Sequence, residues 1–123
     1  MLKQMLIAGI GGFFGTCGRF AVNKLCTLFW LAPLPLATLI VNLGGCLLFG
    51  LFSGLAEKNN LITQTQSALL ITGFCGGFTT FSTFSGELFN MGAKGQWSLS
   101  ALYLFTSIVA GIAMVWLGRI ICK

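Results

Sequence analysis

The sequence contains no histidine, and only two of its 123 residues are acidic, Glu57 and Glu87. Charged residues of both signs make up 7% of it, against about a quarter in a soluble domain. These absences exclude a great deal of chemistry. Without histidine there is no Ser/His/Asp or Cys/His arrangement and no histidine-ligated metal, and two carboxylates allow one acid pair at best. An enzyme is therefore the least expected reading. The five cysteines, Cys17, Cys26, Cys46, Cys75 and Cys122, are odd in number and share no C-x-x-C spacing. They read as small apolar packing residues rather than a disulfide framework or metal site. Seven cations give a net charge of +5, but they lie near the ends of apolar segments. Such cations anchor helices at headgroups more often than they bind nucleic acid, which is not an expected partner.

What is present is mostly hydrocarbon. The chain is 56% hydrophobic with mean hydropathy +0.94, which reads as a multi-pass protein of the lipid bilayer. No cleavable signal is expected, because the first apolar segment is glycine-rich, follows a single Lys3 and leads to no Ala-x-Ala-like site. The length fits one domain, 1–123. Its pattern predicts an all-α integral membrane protein of four helices, at about 4–30, 36–56, 61–92 and 97–121.

Segment one repeats glycine at Gly9, Gly12, Gly15 and Gly18, with Gly11 and Gly15 four apart, a flat face on which another helix can lie. Arg19 near its end reads as a snorkelling anchor, or as a structural or anion-attracting group. Pro33 and Pro35 mark the connector to segment two, since two prolines so close cannot sit inside a helix. Segment two carries one strongly polar residue, Asn42, with Thr38 a turn earlier on the same face. An amide there faces other helices or a water path, and lipid would be the costly alternative. Glu57, Lys58, Asn59 and Asn60 form a polar loop, and Gly92 to Gln96 another. Segment four has Tyr103 and Ser107 four apart, with Trp97 and Trp116 near opposite ends as interfacial anchors.

The most unusual stretch lies inside segment three, from Gly73 through the paired Gly76 and Gly77 to Ser85. In lipid every backbone group must be satisfied internally, so a Gly-Gly-x-Thr-Thr sequence predicts a break, at about 75–80, inside protein or beside a polar cavity. From Leu61 to Gly76 is ~22 Å of helix, which puts the break near mid-bilayer. After it, Phe81 and Phe84 are three apart on one face, beside Ser82 and Ser85. Ring edges carry partial positive charge. With Ser, Thr and Asn donors they could replace part of a small anion's hydration shell without a fixed cation that would bind it too tightly to leave. The plain alternative is a Phe-rich core face. The break also frees carbonyls such as those of Gly76 and Thr79, which suit a hard monovalent cation if two inverted copies meet there. The plain alternative there is a hinge or packing kink.

Residues 73–87 resemble the G-x-x-G-G-x-T-T-F-S-T-F-S-x-E signature of the Fluc (CrcB-type) fluoride channel family. Gly12-x-x-Gly15-x-x-x-Arg19 and Thr38 to Asn42 are similar to that family's other motifs, in order, so the resemblance covers the whole chain. It implies a dual-topology antiparallel homodimer in the plasma (inner) membrane, with two pores that export fluoride passively. It implies that Phe81, Phe84 and Asn42 line the fluoride path, with Ser82, Ser85, Tyr103 and Glu87 as further members. It implies a structural sodium ion at the dimer centre, held by the carbonyls of Gly76 and Thr79, and a structural or vestibular role for Arg19.

Four spans place both termini on one side. Lys3, Lys58, Arg119 and Lys123 would share that side, against Arg19, Lys24 and Lys94 on the other. Four against three barely biases insertion, so two oppositely oriented copies are expected to pair, with the glycine faces serving their association. The chief rival is a small multidrug-type proton-coupled transporter, which needs an intramembrane carboxylate; segment one has none, and Glu87 lies late in another helix. A non-transporting assembly subunit is the second rival, against which the buried hydroxyls and Asn42 argue.

Overall fold

A computed structural model describes residues 1–29, 35–58 and 63–122 of the chain. Four spans in it are long and apolar enough to cross a membrane. The first is α1 (Leu2–Phe29) and the second α2 (Leu36–Glu57). The third is composite: α3 (Gln64–Ser67), a π-helical stretch over Ala68–Cys75, α4 (Gly76–Phe78) and α5 (Ser82–Ala93). The fourth is α6 (Trp97–Ile121). Trp30, Pro33, the Asn59–Asn60 loop, the expected start at Leu61 and Lys123 lie outside the described residues.

The third span departs from regular α-helix in two ways. Over Ala68–Cys75 it is wound as a π-helix, whose i→i+5 bonding widens the turn. Then α4 ends at Phe78, Thr79 is extended with φ −85° and ψ 160°, and helix resumes at Ser82. The non-helical residues are thus 79–81, at the Thr-Thr pair, while Gly76 and Gly77 are helical. That lies at the end of the 75–80 window read from the glycines. The span begins with a capping box: the Thr63 hydroxyl accepts from the Gln66 N–H and the Gln66 side chain accepts from the Thr63 N–H. Such a T-x-x-Q capping box satisfies two of the donors that a helix start leaves open.

Packing follows the glycines. α1 packs most extensively on the π-helical stretch and α2 on α6. A Cβ on Gly11 would collide with the Leu69 carbonyl, and one on Gly15 with the Phe74 carbonyl. From the facing side, Gly73 meets Ala8 and Gly11, and Gly77 meets Gly12. Backbone therefore lies on backbone, as small residues permit between membrane helices. Gly50 and Gly118 do the same between α2 and α6, against Val115 and Leu47. The glycine faces thus hold the monomer together, which corrects the expectation that they serve association between copies. Gly9 alone of the first segment's glycines has open space beside it.

Between α2, α5 and α6 sits a small core of Phe84, Met91 and Tyr103, with Leu39, Leu88, Leu99 and Leu104 around it. The turn from α5 to α6 uses Gly95 at φ 80°. Its N–H bonds the Gly92 carbonyl at 2.9 Å and that of Gln96 bonds Met91 at 2.9 Å, the Schellman pattern, in which a left-handed residue ends a helix. At the far end, Arg119 of α6 pairs with Glu57 of α2.

Candidate functional site

The interruption at 79–81 leaves backbone groups that a helix would have paired, and side chains from neighbouring spans reach in for some of them. Asn42 of α2 makes two bonds to Thr80: its Oδ1 accepts from the Thr80 N–H at 2.9 Å, and its Nδ2 donates to the Thr80 carbonyl at 3.2 Å. An amide fits because one planar group presents both an acceptor and a donor. Arg19 of α1, half-buried, donates its Nε to the Gly77 carbonyl at 3.1 Å. Thr79 turns back, its N–H and hydroxyl both bonding the Cys75 carbonyl, at 3.0 and 2.9 Å. The Thr83 N–H bonds the Thr80 hydroxyl at 3.3 Å.

The consequence concerns Gly76 and Thr79. In an α-helix their carbonyls would receive the N–H groups of Thr80 and Thr83. Those donors are engaged by Asn42 and by the Thr80 hydroxyl instead. Both residues border an open hollow of about 430 Å³ that also touches Cys46, Thr72 and Cys75. Phe78, just before the turn, is wedged with its ring 3.4 Å from where a side chain on Gly18 would begin and 3.6 Å from the same point on Gly44. Those are ordinary van der Waals distances, so the ring fills the space between α1 and α2 without needing glycine at either place.

A second arrangement lies one helical turn further along α5. Glu87, half-buried, accepts from the Thr38 hydroxyl at 2.9 Å on one oxygen and from the Tyr103 hydroxyl at 3.0 Å on the other. Three spans therefore meet at one carboxylate. Phe84 is 7% exposed and packs edge-to-face on Tyr103, ring centres 5.0 Å apart at 69°. Phe81 stands 6.4 Å from Phe84 between centres but is 79% exposed. The two rings expected on one face thus occupy opposite environments in the single chain, because Phe81 lies at the non-helical turn and Phe84 one turn into α5. Ser82 is exposed and Ser85 half-buried.

Between these groups opens a polar cleft of about 240 Å³, bordered by Arg19 and Asn23 of α1, Thr38 of α2, and Thr80, Thr83 and Glu87. That is several times the space one water needs, enough for a partly hydrated ion. Its charges are one guanidinium and one carboxylate. Sequence reasoning placed Arg19, Asn42, Tyr103 and Glu87 in the site but gave no role to Thr80, Thr83 or Asn23. The Thr-Thr pair was the available signal, since hydroxyls beside a helix break tend to bond local backbone. On α6, one turn from Tyr103, the buried Ser107 hydroxyl has no partner among the described residues. Among the described residues, no three His, Cys, Asp or Glu side chains cluster as metal ligands.

A family model described as CrcB-like protein, Camphor Resistance (CrcB), matches residues 6–119. The chain belongs to the CrcB-like family. This CrcB-like chain is 44% identical to a protein of Azobacteroides pseudotrichonymphae genomovar. CFP2 named fluoride-specific ion channel FluC, over all of its own length and 98% of the relative's. A protein of the same name from Methylobacillus flagellatus is 40% identical, with 95% of this chain and 92% of the relative covered. A third, from Chlorobium chlorochromatii, is 42% identical over 95% and 90%. With four apolar spans, the CrcB-like chain is a multi-pass membrane protein, in a bacterium one of the plasma membrane. The relatives' names describe channels, and the chain is not an enzyme.

Proposed function

We propose that this chain is a fluoride-selective channel that lets the anion leave the cell down its gradient. The observation that carries the reading is the full-length likeness to proteins named as fluoride-specific ion channels. The site supplies means that fit it. Arg19 at the cleft attracts anions without facing them alone, because Gly77 and Glu87 share its surroundings. Beyond the cleft, Phe84, Tyr103 and the threonine hydroxyls offer ring edges and weak donors in place of a fixed mid-membrane charge. Conduction needs sites of that strength, since a tight site would not release its ion. Thr38 and Tyr103 already donate to Glu87, so an anion gains them only when the carboxylate gives them up.

The working unit in this reading is an antiparallel homodimer with two pores. Weak charge bias permits both orientations, and the exposed Phe81, Gly76 and Thr72 offer a surface for a second copy. A sodium ion at the dimer centre fits the donor set: the Gly76 and Thr79 carbonyls have lost their helical donors, border one hollow, and would be matched by the same pair from the partner. Bare carbonyl oxygens are the ligands a hard monovalent cation prefers. In such a unit the bound sodium supplies a fixed positive charge at the centre, and this chain's part is to hold the carbonyls.

The test is ion efflux from liposomes containing the purified protein. Fluoride leaving rapidly while chloride stays supports the channel. Fluoride retained, or moved only when a proton gradient is imposed, would favour the proton-coupled transporter, for which Glu87 is the candidate carboxylate, since Glu57 stands at the very end of its span.

A further inference from the structure

The interruption in the third span sorts its carbonyls into two sets. Those of Gly77 and Thr80 are claimed by side chains from other spans, Arg19 of α1 and Asn42 of α2. Those of Gly76 and Thr79, each one residue earlier, have lost their helical donors. Arg19 is the only one of the two holders that carries a charge, and it carries the wrong one. A guanidinium one peptide group from a cation site repels the cation, weakening its binding by plain electrostatics. Its planar fork does something else: a half-buried Nε–H at 3.1 Å fixes which way the Gly77 carbonyl points. Gly76, Gly77 and Phe78 form one short helical turn, α4, so a bond that holds the Gly77 carbonyl toward α1 holds that turn and with it the direction of the Gly76 carbonyl.

We propose that Arg19 is a positioning residue for the central cation: by holding the Gly77 carbonyl toward α1 it aims the Gly76 carbonyl into the hollow, and so sets how tightly sodium binds. This rests on the sodium reading above. The hydrogen-bonding partners favour this role over that of a simple anion attractor. Arg19 spends its Nε on backbone 58 residues away, an anchoring bond that drawing anions into the cleft would not require. The glycine contacts agree, because Gly77 meets Gly12 and Gly15 meets Phe74, so α1 already lies close enough for Arg19 to reach.

Aiming and charge give opposite signs, which makes the proposal testable. The heat stability of the purified dimer would be followed as sodium is titrated against N-methylglucamine, for the wild type, Arg19→Gln and Arg19→Lys, with the sodium dependence of fluoride efflux as a second readout. If Arg19 aims the carbonyl, both variants need about tenfold more sodium or higher to reach their midpoint, the order expected for one lost charge-assisted hydrogen bond. Lysine fails despite its charge because its only donors sit at the end of a flexible stem and not at the Nε position. If only charge matters, Arg19→Gln binds sodium more tightly and Arg19→Lys is unchanged, which overturns the proposal. A uniform loss of stability with an unmoved sodium midpoint also overturns it, leaving Arg19 as packing. Should Arg19→Gln not assemble, the midpoint of Arg19→Lys decides. A wild type indifferent to sodium would sink the sodium reading itself, and that outcome is visible before any variant is made.

Discussion

Asn42 shows how a single side chain can carry the geometry of the site. Its amide satisfies both backbone groups of Thr80 at once. Asn42→Ala would leave a donor and an acceptor unpaired, at about 1–3 kcal/mol each. The expected result is a poorly assembling protein with fluoride efflux lowered by at least about tenfold, measured in liposomes alongside thermal stability. Efflux at the wild-type rate would remove the Asn42–Thr80 bonds from the mechanism. The two phenylalanines separate in another way. Phe84 lies in the core and Phe81 at the surface, so Phe84→Ala should cost about 3–5 kcal/mol of stability. Phe81→Ala should leave the packing within each chain intact, with helical content unchanged by circular dichroism, yet slow efflux, if its ring borders the path. A Phe81→Ala protein with unchanged flux would take that ring out of the path. At this scale the sequence was informative about residue types and poor about partners. Asn42 and Arg19 stood out as polar groups in hydrocarbon, but their partners lie 38 and 58 residues away, and no local pattern encodes a contact so distant.

The third span is where local sequence and tertiary packing divide the work. The Gly-Gly-x-Thr-Thr sequence predicted a break at about 75–80, and the backbone turns at the far end of that window, at 79–81, while Gly76 and Gly77 stay helical. The reason is spatial: those glycines are needed for close approach, since Gly77 abuts Gly12, whereas the turn needs Asn42 and the threonine hydroxyls to absorb its loose groups. The four spans were legible because long apolar runs bounded by prolines, polar loops and tryptophans leave few other solutions. The π-helical winding of Ala68–Cys75 was not, because periodicity over eight residues cannot distinguish it from an α-turn. Gly95 gives an element-level check. Gly95→Ala forces a side chain into φ 80°, at a cost of about 1–2 kcal/mol. The variant should still fold and conduct, with a melting temperature lower by several degrees. Full loss of efflux there would mean that the α5–α6 turn matters beyond joining two helices.

For the whole molecule the open matter is orientation. If the four spans cross the bilayer in turn, Lys3, Lys58, Arg119 and Lys123 fall on one side and Arg19, Lys24 and Lys94 on the other, so loop charges hardly favour one insertion. Reporter fusions at the C-terminus should be found on both sides. Adding two lysines to the Gly92–Gln96 turn should drive one orientation and abolish efflux, and co-expression with an oppositely biased variant should restore it. Efflux undiminished in a fully biased population would show that inverted pairing is not required. The backbone-on-backbone seam between α1 and the third span bears on how such a protein can change over generations. Gly11 faces Gly73 and Gly12 faces Gly77, so each side already presents the smallest side chain there is. An enlargement on one side cannot be relieved by shrinking its neighbour. Suppressors of Gly77→Leu should therefore not arise at Gly12, the residue it abuts, and a random-mutagenesis search along that seam should return only reversions.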